Sequence, residues 1–342
     1  MFNVVCFGGA TQDNIIKIAS TDAKFQEDSS ANRDLLCFEH GAKIPVEDAV
    51  SDVGGGALNT SVAYSQLGLK TAIVSATGQD HFSENIRKRL AQYKVDDTFL
   101  AELTGVHTGF STIITTFKGD RTAFVYRGSN DFISRDLFAD FDDLSTAEWF
   151  SISHLSGNSN NLHKDIIDLK KKNPDIRIAW NPGFTQISSG LENLKPLLRL
   201  TEVLIINRRE AEVLTGRSSS EETIKEDMRG IAQELLELGP KIVVISDGEG
   251  GAFVLTHKSF YEANVFPVNL VNTTGAGDAF MAGFVSGLHY SKNDVEVALS
   301  YGSANASGVI SQFGAQKGIM TLKEIKKKVE STPEFEIRKE KP

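Results

Sequence analysis

Residues 271–283 read VNTTGAGDAFMAG. Gly275 and Gly277 flank an alanine, Ala276, and Asp278 follows at once at the head of a helix-forming run. Glycines let backbone N–H groups turn inward, and a helix start adds the positive end of its dipole, so the turn suits an anion, phosphate above all. Asp278 would be repelled by that anion unless it has work to do, such as taking a proton from a hydroxyl that attacks phosphorus. Taken alone, the same aspartate reads as a helix cap. The glycines also resemble part of a dinucleotide fingerprint, but that motif usually closes the first strand of a βαβ unit, with an acid about 20 residues later. Here they stand near the C-terminus and Asp294 opens an exposed helix, so a nicotinamide-dependent oxidoreductase is disfavoured.

Outward from this stretch, short β-branched runs alternate with longer amphipathic ones. NVVCFG, TAIVSA, RIAWN, EVLIIN and KIVVIS read as strands apolar on both faces. ALNTSVAYSQLG, SENIRKRLAQY, LHKDIIDLKKK and IKEDMRGIAQELLEL carry apolar residues at helical spacing. That alternation predicts a mostly parallel sheet covered by helices on both faces. Two segments break the rhythm, LLCFEHGAKIPV and a hairpin of GFSTIITTF and RTAFVYRG around Lys118-Gly119-Asp120. They predict a small antiparallel β sheet acting as a lid or a homodimer face. The large α/β domain is expected over residues 1–15, 53–105 and 130–330. The lid is expected over 16–52 and 106–129, and a charged, disordered tail over 331–342.

Four further constellations carry polar chemistry. SDVGGGALN places Gly54 and Gly55 where a ligand can press on bare backbone, with Asn59 just inside a helix where its amide reaches a hydroxyl; a tight turn alone explains the glycines equally. Asp13, in GGATQDN, stands at the carboxyl edge of the first strand, where open α/β sheets bind ligands. It suits a vicinal diol, or merely a turn. Asn207 and Glu210, three apart after a strand, would hold Mg²⁺ through water near a triphosphate, or form a capping box. ISDGEGGAF ends a strand with Ser246, Gly248 and Gly251, a turn facing a nucleotide or starting a hairpin.

The chain has 342 residues, 36 basic against 45 acidic side chains and a formal net charge of −9. An acidic protein of this kind argues against nucleic acid as the main partner, because phosphate backbones need a basic face. The two cysteines, Cys6 and Cys37, give no disulfide framework, so a reducing cytoplasm is the expected location. No signal peptide or membrane span is legible, nor is there a GxxxxGK[ST] phosphate loop, an HExxH or a paired CxxC. The sequons at Asn59, Asn272 and Asn305 carry no meaning in that compartment.

In their joint order these pieces resemble the PfkB/ribokinase family of sugar and nucleoside kinases. The matches run from Asp13 through Gly54-Gly55 and Asn59 to Asn207-x-x-Glu210, Ser246-x-Gly248-x-x-Gly251 and Thr274-Gly-Ala-Gly-Asp278, spanning about residues 8–318. The resemblance implies a ribokinase-like three-layer α/β/α domain with a small β lid, and an ATP-dependent phosphotransferase acting on a primary hydroxyl. It implies Asp278 as the base, with the amides of Gly275, Ala276 and Gly277 as an anion hole for the γ-phosphoryl group. Asn207 and Glu210 would organise Mg²⁺ and its waters. Ser246, Gly248, Gly251 and Ser303 would border ATP, and Asp13, Gly54, Gly55 and Asn59 would hold the sugar.

The chain also departs from the family pattern. Asn272 replaces an aspartate that, with Thr274, would flank a monovalent cation, so potassium activation is in doubt. Gly78-Gln-Asp80-His-Phe-Ser83 lacks the family's last glycine, for which only a local packing change is expected. The long insertion at 20–52 carries Lys24, Arg33, His40 and Lys43, which reach a second phosphate or form a solvated lid surface. The acceptor is therefore open between a sugar, a sugar phosphate and an adenosine-type nucleoside. A catalytically silent sugar- or nucleotide-binding regulator is the non-enzymatic alternative, opposed by the intact Gly-Ala-Gly-Asp.

Overall fold

Val4–Phe7 (β1) is buried at every position, and its alternate side chains serve opposite cores: Val4 and Cys6 one, Val5 and Phe7 the other. A strand with two dry faces has to lie inside a sheet covered on both sides. The structure is a computed structural model that describes residues 1–18, 24–28, 33–115 and 121–342. The strands after β1 are β2 (Thr11–Ile18), β3 (Lys24–Asp28), β4 (Arg33–Cys37), β5 (Val46–Gly54), β6 (Thr71–Gly78), β7 (Leu100–Leu103), β8 (Gly109–Thr115) and β9 (Arg121–Tyr126). They continue with β10 (Trp149–Ile152), β11 (Arg177–Trp180), β12 (Val203–Asn207), β13 (Ile242–Ser246), β14 (Ala252–Thr256), β15 (Phe260–Ala263) and β16 (Ile337–Glu340).

The large sheet has the order β16-β15-β14-β13-β12-β11-β10-β1-β6-β7. It is parallel from β13 across to β7, and antiparallel from β13 to β16. One core packs helices Gly56–Gln66, Ala276–Ser291 and Val295–Ile310 on the sheet through Leu58, Val62, Phe284 and Leu299. The other packs Leu162–Lys172, Leu191–Leu198 and Ile224–Glu237 through Ile166, Leu197 and Ile231. The result is a three-layer α/β/α arrangement. Among the described residues, no helix is long and apolar enough to cross a membrane. All three sequon asparagines are buried.

The small sheet has the order β5-β2-β8-β9. Its outer pairs are antiparallel, and its central pair, β2 with β8, is parallel. Ile18 and Ile114 form its own small core, against which Ile16, Leu36 and Ile44 pack. Strands β3 and β4 pair as a separate antiparallel ribbon. The expected hairpin is formed by β8 and β9, while its Lys118-Gly119-Asp120 turn lies outside the described residues. The side chains of Lys24 and Arg33 lie outside them too; His40 and Lys43 are exposed.

Two boundaries need correcting. The small sheet takes in residues 11–15, 53 and 54, because β2 and β5 pair along their full lengths from Thr11↔Gly54 onward. The expected disordered tail instead ends in β16, which pairs antiparallel with β15 and closes the large sheet. Two of its charges are partnered: Glu340 meets Lys225 and Arg229, and Lys339 meets Glu296 at 2.9 Å. Phe335 stacks on Phe266 with ring centroids 4.0 Å apart.

Candidate active site

The carboxyl ends of β1, β10, β12 and β13 open at one edge of the sheet, where α/β folds bind their ligands. Helix Ala276–Ser291 points its first turn there. Gly275 caps it in the left-handed region (φ 80°), and a Cβ at that position would come 2.7 Å from the Ala315 carbonyl oxygen. The turn therefore requires glycine. The N–H of Ala276 donates to the Thr273 carbonyl at 3.3 Å, so that amide is already engaged, contrary to its expected place in an anion hole. Gly277 faces open space, and a Cβ there would meet no atom within 4 Å. Its amide is one of the first-turn donors that have no preceding helical carbonyl.

Asp278 sits in that first turn, half-buried. Its Oδ2 accepts a hydrogen bond from Asn59 Nδ2 at 2.8 Å. Desolvation pushes its carboxyl up to about 6; the Asn59 bond opposes the shift and the charge of Asp13 adds to it. An acid near 6 is ionised at neutral pH yet basic enough to accept a proton from a polarised hydroxyl.

Asn59 lies on helix Gly56–Gln66, brought to the cleft by the Gly54-Gly55 turn at the end of β5. Its carbonyl oxygen accepts from Gln316 Nε2 at 2.8 Å, so one Nδ2 hydrogen remains for a ligand hydroxyl. Asp13 extends from β2, 9% exposed, and its Oδ1 accepts from Ser111 Oγ at 2.6 Å and Thr11 Oγ1 at 3.1 Å. Burial raises its pKa, the two hydroxyl donors lower it, and Asp52 raises it further. A Cβ on Gly54 would fall 2.0 Å from Asp13 Oδ2, so only glycine leaves room for that carboxylate.

A cleft of about 600 Å³ lies at the ends of β12 and β13, lined in part by Asn207, Arg208, Arg209, Ser246, Asp247 and Gly248. Asn207 and Ser246 are register partners on adjacent parallel strands. Asn207 and Glu210 form a capping box: Asn207 Oδ1 accepts from the Glu210 amide at 2.9 Å, and Glu210 Oε2 from the Asn207 amide at 3.0 Å. Glu210 Oε1 is not used in that box. Burial raises the Glu210 pKa, offset by the Asn207 bonds. Gly251 (φ 87°) turns the β13–β14 hairpin and Ser303 lies half-buried within Val295–Ile310; neither lines the cleft.

Asn272 is buried, and its Oδ1 accepts from the Thr274 amide at 3.0 Å. A backbone N–H only donates, so the side-chain nitrogen must face the other way. That Nδ2 is buried without a hydrogen-bond partner among the described residues. A donor of this kind does not coordinate a cation, and the donor set at Asn272 does not fit one.

Several groups at the cleft carry no sequence signal. Ser153, at the end of β10, is buried with its Oγ unpartnered among the described residues, and a Cβ on Gly56 would approach its Cβ to 2.5 Å. His154 Nδ1 lies 3.1 Å from Arg127 Nη1 and its Nε2 lies 2.5 Å from Thr185 Oγ1. Burial and the Arg127 charge push His154 down to about 4, so the ring is neutral and accepts from the guanidinium. Gln316 and Arg89 complete the set behind Asn59. Each of these depends on chain segments far apart in sequence.

A family model described as pfkB family carbohydrate kinase matches residues 26–322. The chain belongs to this family. It is accordingly a kinase of the sugar and nucleoside class, an ATP-dependent phosphotransferase. It is 25% identical over 292 residues to a ribokinase of Staphylococcus aureus, covering 83% of this chain and 91% of that one. It is 29% identical over 262 residues to an uncharacterized sugar kinase of Archaeoglobus fulgidus, covering 75% of this chain and 98% of that one. In fold it is similar to the Arabidopsis thaliana ribokinase complexed with ribose and ATP, with a TM-score of 0.78, 20% identity, and 97% and 99% of the two chains covered. For this pfkB kinase the Asp13, Asn59 and Asp278 cluster and the β12–β13 cleft are candidate acceptor and nucleotide sites.

Proposed function

We propose that the chain moves the γ-phosphate of ATP to a primary hydroxyl of a sugar or related polyol, with Asp278 as the base. The observation that carries this reading is the Asp278 carboxylate itself. It stands in the first turn of a helix whose dipole favours phosphate, tied by one oxygen to Asn59 and raised to about 6. The acceptor O–H gives its proton to the free Oδ1 of Asp278 while its oxygen forms a bond to the γ-phosphorus. The bond from that phosphorus to the β,γ-bridging oxygen breaks, and ADP leaves with the electron pair.

Asp13 accepts from two sugar hydroxyls, Asn59 donates its second Nδ2 hydrogen, and the bare backbone at Gly54 and Gly55 lets the ring approach. First-turn amides, led by Gly277, receive the migrating phosphoryl group. Asn207, Ser246 and Gly248 border the nucleotide. Glu210, through Oε1, the oxygen left over by the capping box, would hold Mg²⁺ by way of water, and the ion would supply neutralising charge to the ATP phosphates. The small sheet closes over the acceptor and excludes water. A coupled assay of ADP formation across ribose, other pentoses and hexoses, their phosphates and nucleosides tests the reading. Turnover with at least one of these, dependent on Asp278, is expected; ADP formation with none of them would sink it.

A further inference from the structure

A chain of five side chains runs behind the acceptor side of the cleft. Asp278 Oδ2 accepts from Asn59 Nδ2 at 2.8 Å, Asn59 Oδ1 from Gln316 Nε2 at 2.8 Å, and Gln316 Oε1 from Arg89 Nη1. Arg89 Nη2 lies 2.6 Å from Asp52 Oδ1. Asp52 is on β5, two residues before Gly54, and so belongs to the small sheet.

The two ends of a side-chain amide have nearly the same shape, so something must decide which end of Asn59 meets Asp278. Arginine has only donors. Gln316 therefore turns Oε1 to Arg89, which leaves Nε2 for Asn59. Asn59 has to meet that donor with Oδ1, which leaves Nδ2 for Asp278. With Gln316 1% and Asn59 5% exposed, neither amide has solvent to turn to instead. The direction of the hydrogen bond on Asp278 is thus dictated by a guanidinium two side chains away.

We propose that Arg89 and Gln316 are positioning residues that lock the Asn59 amide with its nitrogen toward Asp278, keeping that carboxylate ionisable and aimed at the acceptor. The inference rests on Asp278 being the base. It makes the lid strand part of the same device, because Asp52 holds the far end of Arg89.

Few groups compete with this lock. Asp13 on β2 faces Asp278 with like charge. Cys6 on β1 is pushed up to about 12 and Tyr64 on the Gly56–Gln66 helix is raised well above its ordinary value, both mainly by burial, so both are neutral. Among the described residues the Asn59 side chain is the hydrogen-bond donor that favours the Asp278 anion, beside the first-turn dipole of Asp278's own helix, which none of the variants below alters.

The test is a ¹³C NMR titration of the Asp278 carboxyl, assigned against Asp278→Asn, alongside the pH profile of kcat/KM. Gln316→Met changes no charge and frees Asn59 to turn; it raises the Asp278 midpoint and moves the acid limb of kcat/KM with it. Gln316→Glu keeps its partner Arg89 but accepts from Asn59 Nδ2, turning Oδ1 onto Asp278; the rise is about one pH unit or more. Arg89→Lys retains a donor and a partner for Asp52, and its midpoint stays nearest the wild type. A wild-type midpoint in either Gln316 variant, or an Arg89→Lys shift as large as that of Gln316→Glu, overturns the proposal. The titration needs no turnover, so a chain that phosphorylates no sugar would remove the base reading while the NMR result still decides the lock.

Discussion

Asn59 and Asp278 are 219 residues apart in sequence and 2.8 Å apart in space, with the amide nitrogen of one on the carboxylate of the other. That contact joins the helix after the Gly54-Gly55 turn to the helix after the Gly-Ala-Gly turn. It ties the proposed acceptor side of the site to the proposed phosphoryl side.

Asp278→Asn is expected to lower kcat by about 10²–10⁴-fold while leaving nucleotide binding near the wild-type level. Steady-state kinetics and a nucleotide titration check this; unaltered turnover would end the assignment of the base.

The pH dependence follows from the raised carboxyl. With a folded value of about 6 against an ordinary 3.8, the native state binds the proton more tightly than the unfolded chain between those values. Stability linked to Asp278 is therefore present below about pH 4 and lost as pH rises through about 6. Thermal unfolding of Asp278→Asn should show a higher Tm than wild type at pH 7–8, a gain that disappears near pH 4. In wild type, kcat/KM should fall as pH drops through about 6.

Asp13→Asn should raise the KM for the acceptor about 10-fold or more, since hydrogen bonds to a charged group are worth about 1.5–3 kcal/mol each. The KM for ATP should hardly move. Ser111→Ala removes a lid donor from Asp13 at 2.6 Å and should act in the same direction, more weakly. A large change in ATP affinity without one in the acceptor would contradict both roles.

Asn272 predicts weak or absent stimulation by potassium, because its buried outward group is an N–H donor. Asn272→Asp restores an acceptor and should introduce stimulation by potassium over a bulky organic cation. Strong potassium dependence of the wild-type protein is the contrary result.

Removing residues 332–342 should lower stability by about 1–3 kcal/mol, through loss of an aromatic pair and an edge strand. Phe335 no longer stacks on Phe266, and β15 loses its partner β16. Acceptor and nucleotide KM should stay near wild type. A Tm unchanged by the truncation would show that the strand contributes nothing to the fold.

Much of this architecture is legible because it depends on local periodicity. Val4–Phe7 and Val203–Asn207 are apolar almost without interruption, which only a doubly covered parallel strand tolerates. The Gly275 turn is legible because no other residue fits its backbone. Pairing at long range is not. The tail reads as a solvated charge run until Lys225 and Arg229, more than 100 residues earlier, are found to neutralise Glu340. Thr11–Ile18 hides its strand character behind Thr, Gln, Asp and Asn, where another strand would have valines. Asn207 and Glu210 show the converse: their spacing gives the capping box correctly, and the box leaves a single carboxylate oxygen for any metal-bound water. Gln316 and Arg89 stand 227 residues apart, with nothing in either segment to announce the other.

In the large sheet, the strands bearing the proposed nucleotide grip, β12 and β13, are separated from β1 by β10 and β11. The loops that would read the acceptor therefore belong to a different stretch of chain from those that would seat ATP. Mutations that retune sugar preference can accumulate on one bank of the sheet while the energy-donor bank is inherited intact, so diversification among such kinases need not pass through inactive ancestors.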